Sequence, residues 1–209
     1  AVRAGTIRGN TSATTFGASS GAITIGATSG SADATLLVGT SGLNFANPIV
    51  LASGTSGSLT MGVTGTAIST TFSGGVTGSN TLRIDASATS DTVTFATTAL
   101  NNSGTVSNAG GGTGTATLSG GVGTNVTAVS EASATSALTV SGALIVNSAA
   151  TTLTAASGAA LFTLSGGVTG TGNLVLHNDS ATASRITLSS ASVNPLGTIT
   201  NAGAGAGST

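Results

Sequence analysis

The chain has 209 residues, 4 % charged and 39 % hydrophobic, with a net charge of −1 and no lysine, cysteine, tryptophan or tyrosine. It is too apolar for disorder, which needs low hydrophobicity with high charge, and too weakly charged to recruit nucleic acid or an anionic membrane. Disulfides and thiolate metal sites are excluded, and no apolar run is long enough to cross a bilayer as a helix.

The opening, AVRAGTIRGN, has no methionine and no basic-then-apolar signal pattern, so it reads as a processed product or a piece of a longer chain. Over residues 1–71, GAITIG, ATLLVG, NPIVLASG and SLTMG are short apolar runs closed by turn residues, and each predicts a strand. From residue 72 the chain repeats. FSGGVTG at 72–78, LSGGVGT at 118–124 and LSGGVTG at 164–170 are spaced by 46 residues, and SATS at 87–90 and 133–136 keeps step, followed by SATA at 180–183. Between them apolar residues alternate with Thr, Ser or Arg: Leu82 and Ile84, Val93 and Phe95, Leu138 and Val140, Leu174 and Leu176, Ile186 and Leu188. Such runs are strands with one buried and one polar face. The silk-like GAGAGS of 203–208 belongs to TITNAGAGAGS, a variant of TVSNAGGGTGT at 105–115, so it reads as a turn of the repeat rather than as silk.

A long fixed period built from one-faced strands predicts an all-β fold, a single parallel β-solenoid (β-helix) domain over 1–209, less regular over 1–71 and clearly repeating over 72–209. The 46-residue unit would make two coils, giving about nine coils and a rod of roughly 40 Å.

The units from Leu118 and Leu164 onward resemble the autotransporter-associated β-strand repeats of large bacterial surface proteins, clearly over 72–209 and more weakly before. The resemblance implies a β-helical passenger stalk exported to the cell surface. It implies no catalytic residues, and neither an outer-membrane barrel nor an export signal is visible in the chain.

The ionisable inventory is small: Arg3, Arg8, Arg83, Arg185, Asp33, Asp85, Asp91, Asp179, Glu131 and His177. Asp85, Glu131 and His177 recur at 46 residues and are expected at equivalent positions, as charges tolerated in a polar turn. His177, Asp179 and Arg185 form the densest local cluster, but a glycosidase would need a second carboxylate. GASSG at 17–21 fits a nucleophile elbow only formally, because no strand-to-helix turn is expected there. The five phenylalanines, Phe16, Phe45, Phe72, Phe95 and Phe162, are expected in the core. Asn10, Asn101, Asn125 and Asn178 satisfy the glycosylation sequon. No catalytic, cofactor-binding or metal-binding residue is assigned, and the chain is expected not to be an enzyme.

The expected function is a structural segment of an extracellular or cell-surface fibre. Its solenoid ends carry no charged cap, so they stack head-to-tail on further copies or on further repeats of a longer chain. The alternative is an adhesin stalk binding glycans or other cells. Ice binding and polysaccharide-active β-helical enzymes are further alternatives. Threonine is not expected at one register across the 46-residue copies, which counts against ice binding.

Overall fold

The computed structural model describes residues 1–189 and 191–205. Among them there is no helix, and every strand pairing is parallel. Each coil visits three walls in turn, so that each strand hydrogen-bonds to the strand one coil earlier. The first wall is a nine-stranded sheet of β1 (Gly5–Gly9), β3 (Ala34–Val38), β6 (Leu59–Val63), β9 (Leu82–Ala86), β11 (Gly104–Asn108), β13 (Val126–Glu131), β16 (Ala150–Ala155), β19 (Asn173–Asn178) and β21 (Ile199–Asn201). The second wall has seven strands: β4 (Leu43–Phe45), β7 (Ser69–Phe72), β10 (Thr92–Phe95), β12 (Thr115–Leu118), β14 (Ala137–Val140), β17 (Phe162–Leu164) and β20 (Ile186–Leu188). The third is thinner: β2 (Ile23–Ile25), β5 (Ile49–Leu51) and β8 (Val76–Gly78), then single bridges through Leu100 and Val122, then β15 (Leu144–Val146) and β18 (Val168–Gly170), with a last bridge to Val193.

The expected solenoid is therefore present. Its coils number seven complete three-walled turns, the number of strands in the second wall, rather than the expected nine, with an incomplete turn at each end, where β1 and β21 have no second-wall strand. In the first turn Phe16 takes the place of that strand and packs on Phe45 with ring centroids 4.9 Å apart.

The core lies between the walls. Alternation places one residue in two inward, and the register stacks these into files running along the axis. On the second wall the file is Phe45, Phe72, Phe95, Leu118, Val140, Leu164 and Leu188. Its 46-residue step, from Phe72 to Leu118 to Leu164, is the expected two-coil unit. Phe45, Phe95 and Phe162 are fully buried and Phe72 nearly so, while Phe16 is packed at the edge of the core.

The SGG motif now has a physical reason. Its first glycines, Gly74, Gly120 and Gly166, sit where a Cβ would overlap a backbone carbonyl group of the preceding coil, at Asn47, Thr98 and Gly142. Its second glycines, Gly75, Gly121 and Gly167, turn the corner with φ of 77°, 86° and 83°, a region that L side chains avoid. The silk-like string obeys the first rule, since Gly203 and Gly205 lie against the backbone of Asn178 and Ser180; its residues 206–208 lie outside the described residues. Gly166→Ala is expected to cost about 1–3 kcal/mol by forcing two coils apart. A urea titration checks this, and an unchanged midpoint would contradict the close stacking at that corner.

Candidate functional site

The ionisable side chains are not gathered into one place. Asp85, Glu131 and His177 are not equivalent, contrary to the expectation from their spacing. In the register Glu131 follows Leu36, Met61, Ile84 and Asn108 and precedes Ala155 and Asn178, an inward file. His177 belongs to the outward file of Arg83, Ser107, Ser130 and Thr154, and Asp85 also lies at an outward position of its strand. The first wall takes two steps of 47 residues rather than 46 across the three. A β-bulge at the start of β13, where Gly104 pairs with Val126 but Thr105 with Ala128 so that Thr127 has no register partner, turns Glu131 inward. The register then runs from Glu131 through Ala155 to Asn178, which leaves His177 on the outer face. A bulge moves the rest of its strand by one residue, and with a period of two that exchanges the faces.

Glu131 is consequently 0 % exposed rather than in a polar turn. Its Oε2 accepts from Asn108 Nδ2 at 2.8 Å and its Oε1 from the Ser133 amide at 2.7 Å. Asn108 Nδ2 also donates to the Ser136 carbonyl at 2.7 Å, and Ser133 Oγ donates to the Gly110 carbonyl at 2.6 Å. The SATS string thus forms a buried polar corner that staples two coils together. Burial pushes the Glu131 carboxyl up from 4.5 to about 7, against the opposing pull of the Asn108 and Ser133 hydrogen bonds. The group can hold or release a proton near neutrality, but it faces the core and no solvent. In the earlier copy of the corner Asp91, also 0 % exposed, accepts from the amides of Ile68 and Ala88 at 2.8 and 2.9 Å.

Of the His177, Asp179 and Arg185 cluster, the first two meet: His177 Nε2 lies 3.0 Å from Asp179 Oδ1, both side chains more than a third exposed. Arg185 precedes β20 on the second wall and, among the described residues, makes no ion pair with either. Arg83 pairs with Asp85 at 3.5 Å on the outside of β9. Arg8 donates to Thr64, and Asp33 accepts from the Ser58 amide at 2.7 Å. Among the described residues no three His, Asp or Glu side chains approach one another as a metal site would require. The groove beside Arg83, lined by Ser58, Asn80, Thr81 and Ser107, holds one ionisable group. GASSG at 17–21 is a bend ahead of β2, with no helix after it.

Of the sequon asparagines, Asn10 and Asn125 are exposed, Asn101 is half-buried and Asn178 is buried. Asn178 accepts from the Ser180 amide at 3.0 Å and is therefore part of a corner, not an accessible acceptor for a sugar.

The most ordered surface feature lies elsewhere and corrects the expectation about threonine. Thr71, Thr94, Thr117, Thr139, Thr163 and Thr187 stand in one register on the outside of the second wall, one per coil on successive strands. Their steps are 23, 23, 22, 24 and 24 residues, and Thr71, Thr117 and Thr163 fall at the 46-residue spacing itself.

Compared with models of protein families, with curated proteins and with solved structures, the chain matches none. The fold defines its class: a parallel β-solenoid with turns of about 24 residues.

Proposed function

We propose that the chain is a non-enzymatic structural segment of an extracellular or cell-surface fibre or stalk, of the kind its resemblance to autotransporter-associated β-strand repeats implies. The supporting observation is at the two ends of the ladder. Ile7 of β1 stands in the inward file beside Leu36, and Ile199 of β21 in that beside Leu174, yet they are 40 % and 50 % exposed because no described coil covers them. Among the described residues both strands also pair on one side only. A further coil would cover this apolar area and complete the backbone pairing, whether it comes from the same chain or from a second molecule stacked head-to-tail. The outward Ser, Thr and Asn groups suit an exported rod, and recognition of glycans or other cells by that surface is the second reading, favoured by the exposed bends around Asn10 and Asn125.

Negative-stain images of the purified chain at high concentration test the stacking. Rods that lengthen with concentration, with a repeat of roughly 40 Å per molecule, are expected. Discrete particles at every concentration would overturn end-to-end growth.

A further inference from the structure

We propose that the outer face of the second wall binds crystalline water, through the file Thr71, Thr94, Thr117, Thr139, Thr163 and Thr187.

A parallel ladder fixes the spacing of this file at about 4.8 Å per coil. In coils with a second outward hydroxyl, Ser69, Thr92 or Thr115, the two lie about 6.6 Å apart along the strand. The face is therefore a grid rather than a scatter. It is also rigid, because the same strands bury the Phe45, Phe72 and Phe95 rings, with centroids 5.8 and 5.4 Å apart, on their inner side.

The chemistry of the grid suits water held in a lattice. Among the described residues the hydroxyls of Thr71, Thr94, Thr117, Thr139 and Thr163 find no hydrogen-bond partner, so each faces water to donate and accept. Only Thr187 is engaged, with the Ser184 carbonyl at 3.3 Å. Each threonine adds a methyl group, beside which water is restricted in orientation. Water on this face is thus ordered at a fixed repeat by alternating apolar and hydrogen-bonding groups. Liquid water loses freedom there, whereas the surface layer of a crystal has already lost it. A rigid array also makes its contacts together, so each contact after the first carries little further entropic cost.

The other walls lack the feature. The first wall's outward file mixes Arg83, Ser107, Ser130, Thr154 and His177, and the third wall's includes Val50 and Ile145. On the second wall no charged residue occurs in the strands from β4 to β20, and Arg185 lies just before the last of them. No exposed aromatic ring, on which a polysaccharide would stack, occurs on this face among the described residues.

The test is thermal hysteresis and ice-crystal shaping by dilute chain, with folding of every variant followed by circular dichroism. The native chain is expected to shape ice crystals and to depress freezing below melting. Thr117→Tyr, at the middle of the file, is expected to lose most of that activity, and Thr154→Tyr on the first wall to retain it. Should Thr117→Tyr not fold, Thr163→Tyr serves in its place. A native chain without hysteresis or shaping, or a folded Thr117→Tyr or Thr163→Tyr equal to it, would overturn the proposal.

Discussion

Phe95→Ala is expected to destabilise the solenoid by about 3–5 kcal/mol, the usual cost of removing a buried aromatic ring. Phe95 is 1 % exposed and lies between Phe72 below and Leu118 above in the second-wall file. Removing its ring leaves a void against the Phe72 ring, stacked on it with centroids 5.4 Å apart. Backbone pairing holds both neighbouring coils at the strand spacing, so they cannot close the gap. Because each coil touches only its neighbours, the damage should be local, with amide exchange rising most in β7, β10 and β12. Urea denaturation and amide exchange together check this. A loss below about 1 kcal/mol would mean that the file is not packed as described.

The second large effect is on pH. Burial raises Glu131 to about 7 from an ordinary 4.5, so between these values the folded chain holds a proton that the unfolded chain releases. Stability is then highest at acid pH and falls as pH rises from about 4.5 through about 7, after which it levels. The shift corresponds to about 3 kcal/mol of stability lost across that window. Glu131→Gln keeps an acceptor for the Ser133 amide and removes the charge, while it sets an amide nitrogen against the Asn108 Nδ2 donor, so it should flatten the pH profile and lower the plateau at acid pH. Urea midpoints at pH 5 and pH 8 for both chains decide it. A native chain more stable at pH 8 than at pH 5 would contradict the buried, desolvated carboxyl.

The solenoid was legible because its two-coil unit is written in the turns. SGG needs glycine twice, once for space against the coil below and once for a left-handed φ, so the motif survives at 46 residues where strand residues drift. The apolar alternation correctly marked Leu82, Ile84, Val93, Phe95, Leu138 and Val140 as inward. What the spacing could not show is that different walls keep different steps. The second wall steps 46 residues from Phe72 to Leu118, while the first steps 47 from Ile84 to Glu131, because the bulge at Thr127 adds a residue to β13. That single residue decides whether Glu131 faces water or core, and nothing in its local sequence announces it. Half of the threonine file, Thr71, Thr117 and Thr163, is legible in the sequence at the 46-residue spacing itself, against the expectation that threonine keeps no register. The other half, Thr94, Thr139 and Thr187, lies in the intervening coils, at steps of 22 to 24 that only the pairing register brings into line.

The register itself is the claim on which the rest depends, and the absence of native cysteine makes it directly testable. Thr94 and Thr117 are partners on adjacent strands of the second wall, whereas Thr94 and Thr139 are two coils apart in the same file. In-register parallel partners lie about 4.8 Å apart, within reach of a disulfide, and positions two coils apart lie near ~9.6 Å, beyond it. Mild oxidation of the folded T94C/T117C chain should therefore form an intramolecular disulfide, and T94C/T139C should not. A disulfide in the second variant but not in the first, or in neither, would contradict the coil-on-coil stacking.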